Sequence, residues 1–136
     1  MNTTYYLNNV MGNVFKTQIS PALPTDYWLG LSLTTPNIAG GSVLEPTPSG
    51  SGYVRVKLTG NLSVPVNGTV TNNGAISFNE SLTSWGTVKS YVIYDSQTGG
   101  NLLMFGDLTI QRTVEQGTVI TIKAGELVIT LENPTT

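Results

Sequence analysis

Few side chains in this chain are equipped for chemistry, and their kinds narrow what that chemistry can be. Histidine and cysteine are both absent. Without imidazole the commonest general base and the commonest metal ligand are missing. Without thiols there is no thiolate catalysis, no disulfide framework and no Cys-based zinc site. Carboxylates remain, and Asp95, Asp107, Glu115, Glu126 and Glu132 fall in or beside the predicted C-terminal strands and turns. A glycosidase-like pair needs two carboxylates facing one cleft, whereas residues at such positions more often cap turns or lie on a solvated face. A calcium site needs oxygen ligands clustered in a short loop. Asp95-Ser96-Gln97 brings a single carboxylate, and its expected job is to hold turn amides. Gly40-Gly41 and Gly99-Gly100 lack the strand–glycine–helix context of a phosphate loop. Asn-x-Ser/Thr triplets at Asn2, Asn61, Asn67 and Asn79 are expected by chance in so Thr-rich a chain. No catalytic, cofactor-binding or metal-ligating residue is therefore expected, no cofactor is implied, and the chain reads as something other than an enzyme.

Charge excludes further classes. Six basic residues stand against eight acidic ones, for a net charge of −2 and a pI near 4.8. Lys16, Arg55, Lys57, Lys89, Arg112 and Lys123 are scattered, so no basic patch is offered to nucleic acid. Charged residues make up 10% of the chain, against about 25% in an ordinary globular protein. Ser, Thr and Asn together number 43 of the 136 residues, so neutral polar groups must cover the surface. Such a surface suits a component packed against copies of itself, where charges would repel or be desolvated. It equally suits an ordinary β domain with a Thr-rich strand face. Tyr27, Trp28, Tyr53, Trp85, Tyr91 and Tyr94 are the candidates for a sugar-binding platform. Packing against a sheet face is the commoner fate of such aromatics.

The elements that must position these residues are mostly strands. Residues 1–136 fit one domain, of a size that buries close to 70% of its unfolded surface. Leu7, Val10, Met11 and Val14 follow a helical spacing. This predicts a short amphipathic helix over Thr4–Thr17, capped by Thr3 or Thr4 and closed off by Pro21 and Pro24. Tyr27 to Leu33 alternates, with Tyr27, Leu29, Leu31 and Leu33 on one face. Residues 34–51 form a long Pro- and Gly-rich loop. In Tyr53 to Leu58 the expected inward face is Val54, Val56 and Leu58, with Tyr53, Arg55 and Lys57 outward. Asn67-Gly68 and Asn72-Asn73-Gly74 signal turns around Thr69-Val70-Thr71. Further strands are expected at Ala75–Phe78, Val88–Tyr94, Leu102–Phe105, Thr118–Lys123 and Leu127–Leu131, with turns at 97–100 and 124–125. Residues 133–136 form a tail. The fold class is mainly β: an antiparallel β-sandwich or jelly-roll-like domain of about seven to eight strands with a short N-terminal helix. No apolar run approaches the roughly 18 residues of a membrane helix. Met1 to Leu7 lacks the basic and apolar regions of a secretory signal. No membrane partner is expected, and synthesis in a cytoplasm is.

The order of short features carries a resemblance. The series runs Tyr27-Trp28-Leu29-Gly30-Leu31, Glu45, Gly52-Tyr53-Val54-Arg55, Val70-Thr71-Asn72, Ile76-Ser77-Phe78 and Trp85-Gly86-Thr87-Val88. It continues with Ile93-Tyr94-Asp95, Gly99-Gly100-Asn101-Leu102-Leu103 and Ala124-Gly125-Glu126-Leu127-Val128-Ile129. This resembles a family of small bacteriophage virion proteins commonly labelled "phage tail fibre protein", from the N-terminal helix to Leu131. The resemblance implies a non-enzymatic virion component made in the bacterial host cytoplasm. It leaves head or tail open, because short β-sandwich phage proteins also decorate heads, and it carries over no binding residues. Within that frame Glu45 and Arg55 are placed to pair, pinning the long loop to a strand with Tyr53 beside them. Gly86 and Gly100 suit positive φ, and Trp85 plugs one end of the sandwich.

Length favours a capsid decoration (cement) protein that stabilises the head as a homo-oligomer, such as a trimer, seated on the major capsid protein. The helix and the 34–51 loop are its expected grips on a neighbour. The alternatives are a tail-fibre or baseplate component involved in host attachment, or a carbohydrate-binding module meeting a host-surface glycan.

Overall fold

The computed structural model describes residues 1–17, 21–47 and 49–132. The expected tail at 133–136 lies outside the described residues, as does Pro48 within the long loop. One helix, α1 (Thr4–Val14), is followed by strands β1 (Trp28–Ser32), β2 (Val56–Lys57), β3 (Thr69–Thr71), β4 (Ile76–Ser77), β5 (Gly86–Tyr94), β6 (Leu102–Val114), β7 (Thr121–Ile122) and β8 (Val128–Thr130). All pairings are antiparallel. A four-stranded sheet has the order β2-β1-β5-β6, and β3–β8 and β4–β7 form two-stranded ribbons. The expected mainly β, sandwich-like arrangement with a short N-terminal helix is what the chain adopts.

The sheet buries both faces, and the pleat decides which residue goes where. Leu29 and Leu31, with Ile93 opposite Leu29 and Met104 opposite Ile93, share one face. The ribbons cover it with Ile76, Phe78, Ile120 and Leu127, and Tyr6 reaches in from α1. On the other face lie Val92, Tyr94, Leu102 and Phe105, covered by Met1, Ile38 and Val43. Two of those covering residues belong to the long loop, so the loop is a lid on the sheet. The backbone of Met1 and Thr3 adds to the outer edge of β6 at Leu103 and Phe105. No helix of the described residues is long and apolar enough to cross a membrane.

Three local expectations are corrected. First, α1 stops at Val14, not Thr17. Thr3 caps its start, accepting from the Tyr6 amide at 3.2 Å. Its end is a left-handed turn at Lys16 (φ +58°), with the Thr17 N–H on the Gly12 carbonyl at 3.0 Å. The stop therefore precedes Pro21. Second, Tyr53 and Arg55 point inward and Val54 is 40% exposed, reversing the expected alternation there. Only Val56 and Lys57 form strand, and Leu58 is buried as expected. Third, β6 continues past Phe105 to Val114. Its register jumps: Val88 pairs Arg112 and Ser90 pairs Asp107, so Lys89 alone faces Leu108 to Gln111. This larger-than-usual bulge carries Ile110 into solvent at 69% exposure.

Candidate functional site

The most strongly built polar cluster centres on Arg55. Its guanidinium holds Glu45 two-pronged, with Nη2–Oε1 at 2.5 Å and Nε–Oε2 at 3.2 Å. Nη1 donates to the Ser96 and Gly99 carbonyls at 2.8 and 2.7 Å, and Cζ sits 3.6 Å over the Tyr94 ring. Tyr53 donates to the second Glu45 oxygen at 2.6 Å and accepts from the Leu31 amide at 3.0 Å. Burial above all, and then the nearby Glu45 carboxylate, push the Tyr53 phenol well above the usual tyrosine range, so it stays a donor. Gly30 makes the arrangement possible: a Cβ there would meet the Tyr53 hydroxyl at 2.6 Å. The cluster ties the 34–51 loop and the 96–99 turn to β1. The expected Glu45–Arg55 pair is thus present. Reading Arg55 as outward missed its carbonyl and ring partners, although Tyr53 and Arg55 share a side by their spacing.

The five singled-out carboxylates do not converge. Asp95 accepts from the Asn101 backbone and side-chain amides at 2.8 and 3.1 Å, the turn-holding role expected of it. Asp107 accepts from the Ser90 and Thr35 hydroxyls. Glu126 takes the Lys123 amide at 2.7 Å, and Glu132 lies 3.4 Å from the Met1 amine. Glu115 enters through its backbone, whose carbonyl accepts from Ser81. Among the described residues no group of three or more acidic side chains is placed to hold a metal ion.

The aromatics divide. Tyr53, Trp85 and Tyr94 are buried, and Tyr27, Trp28 and Tyr91 are half-buried. Trp85 donates its indole N–H to the Ser51 carbonyl at 2.9 Å and meets Tyr53 edge-on at 5.4 Å between centroids. It plugs the core where the long loop ends. Tyr27 and Tyr6 share a hydrogen bond at 2.7 Å. The six therefore form no common exposed platform.

Among the described residues, two surface features stand apart from these clusters. A groove of about 280 Å³ runs between the β6 bulge and β7, floored by Leu31, Tyr91, Ile122 and Leu127 and rimmed by Arg112 and Glu126. The other is α1. Its buried side is Tyr6, Asn9 and Gly12, with Asn9 donating to the Pro21 carbonyl at 2.8 Å. Of the expected apolar stripe, Val10 packs against the core while Met11 and Val14 face solvent at 48% and 59%, beside Phe15 at 65%. Leu7, half-buried, starts this ridge. The helix carries no charged residue.

Residues 2–130 match the family model described as "Podophage GP4 fiber I protein gp80". A search of curated proteins finds no match. The family match spans every element described above and agrees with the resemblance to fibre-labelled phage proteins. This chain belongs to the podophage GP4 fiber I protein gp80 family and is a fibre-type component of a phage virion.

Proposed function

We propose that the chain is a non-enzymatic building block of a tail fibre that serves host attachment, and that it is held to further copies of itself through the exposed ridge of α1. The fibre description of the family favours this over the cement reading that length alone suggested. The ridge carries the self-association. Met11, Val14 and Phe15 put three apolar side chains in water side by side on the helix and its C-cap, with Lys16 the next residue, and contiguous exposed apolar surface marks contact sites. Of the two expected grips, the 34–51 loop is already engaged, with Ile38 and Val43 on the sheet and Glu45 on Arg55. That leaves the helix. The non-enzymatic reading rests on the missing His and Cys and on the separate hydrogen-bond duties of the acids.

Light scattering on the purified chain tests the association. The wild type is expected to form an oligomer, and Met11→Ser with Phe15→Ser to shift it to monomer with circular dichroism and thermal midpoint retained. A wild type that stays monomeric, or a variant that stays oligomeric, contradicts the ridge.

A further inference from the structure

Two Asn-Gly steps stand close together in sequence, and the fold treats them differently. Asn67-Gly68 is the two-residue tip of a hairpin, with φ +52° and +74° and the Val66 and Thr69 backbones bonded both ways at 2.9 and 3.0 Å. Among the described residues neither the Asn67 side chain nor the Gly68 N–H has a partner. Val64 and Val66 beside it are 77% and 63% exposed, so little burial resists local opening. Asn73-Gly74 is locked. The Asn73 side chain donates to the Leu62 carbonyl at 2.8 Å, and the Gly74 N–H donates to Asn61 Oδ1 at 3.1 Å.

We propose that Asn67 is a site of spontaneous modification by water, and that Asn73 is protected from it. When the tip opens, the Gly68 nitrogen gives its proton to solvent and attacks Asn67 Cγ. The bond from Cγ to the side-chain nitrogen breaks, and that nitrogen takes a proton from solvent and leaves as ammonia. The resulting five-membered imide takes up one water. Opening at Cγ yields aspartate, and opening at the backbone carbonyl yields isoaspartate. Glycine favours ring closure because no Cβ obstructs the attacking nitrogen. Each event makes the chain one charge more negative. The isoaspartate form also adds a backbone carbon to a turn whose register needs two residues.

The test holds the folded full chain at mildly alkaline pH and follows both Asn-Gly peptides by mass spectrometry, with a fragmentation method that distinguishes isoaspartate. A parallel sample in denaturant is the reference. The expected result is conversion at Asn67 many-fold faster than at Asn73 in the folded chain, and similar rates in denaturant. Equal rates in the folded chain, or a slower Asn67, overturn the proposal. Asn61→Ala frees the Gly74 N–H and is expected to speed Asn73 conversion in the folded chain; an unchanged rate overturns the protection.

Discussion

Arg55 is 8% exposed, and it is tolerated there because every side of its guanidinium meets an acceptor or a ring. A pair so placed fixes geometry more than it adds net stability, yet removing one partner strands the other. Arg55→Ala is expected to cost about 3 kcal/mol. It should also raise cleavage by a nonspecific protease between Pro36 and Ser51, where Glu45 anchors the loop. Unchanged protease sensitivity contradicts the clasp. Replacing both partners, Arg55→Met with Glu45→Leu, should recover much of the loss, because no buried charge then lacks a partner. The buried phenols make a second prediction. Burial first, and then hydrogen-bonded or charged neighbours, raise Tyr6 and Tyr53 above the tyrosine value of 10.0. The folded state therefore keeps protons that the unfolded chain releases. Their contribution is complete below pH 10.0 and is lost as pH climbs above it. Denaturant midpoints should fall over that range, with part of the phenolate absorbance appearing only on unfolding. Six tyrosines titrating together near pH 10.0 in the folded chain would contradict this.

At the scale of elements, legibility followed how cleanly large apolar side chains sort to one face. β1 alternates because Leu29 and Leu31 enter a core that the ribbons cover, and the pattern predicts it. The Asn67-Gly68 turn was equally legible, since positive φ at consecutive positions selects that pair. Two elements were not. The Tyr53–Leu58 segment buries Tyr53 and Arg55 on polar partners distant in sequence, so a rule sorting by hydrophobicity turned it inside out. β6 beyond Phe105 pairs as strand but is exposed on most of its length, with a bulge that breaks the period. Periodicity marked an apolar stripe on α1 but not which side of the helix the fold would bury. The helix buries Tyr6, Asn9 and Gly12, with Asn9 bonded to the Pro21 carbonyl. Of the candidate site, then, the Glu45–Arg55 pair and the helix as a grip were legible, while the exposure of Met11, Val14 and Phe15 was not.

For the whole molecule, the family match carries the fibre assignment and the exposed ridge carries the proposed self-association. The family match places the chain among phage fibre proteins, and the fold leaves Met11, Val14 and Phe15 exposed side by side on α1 and its C-cap. The low charge density would leave little repulsion between copies packed as proposed. The most direct test is cryo-electron microscopy of the intact particle with this chain fitted to the density. Density in several copies within tail fibres, with α1 ridges at the contacts between copies, is the predicted result. Density in regular array on the head lattice would contradict the fibre assignment and restore capsid strengthening as the function.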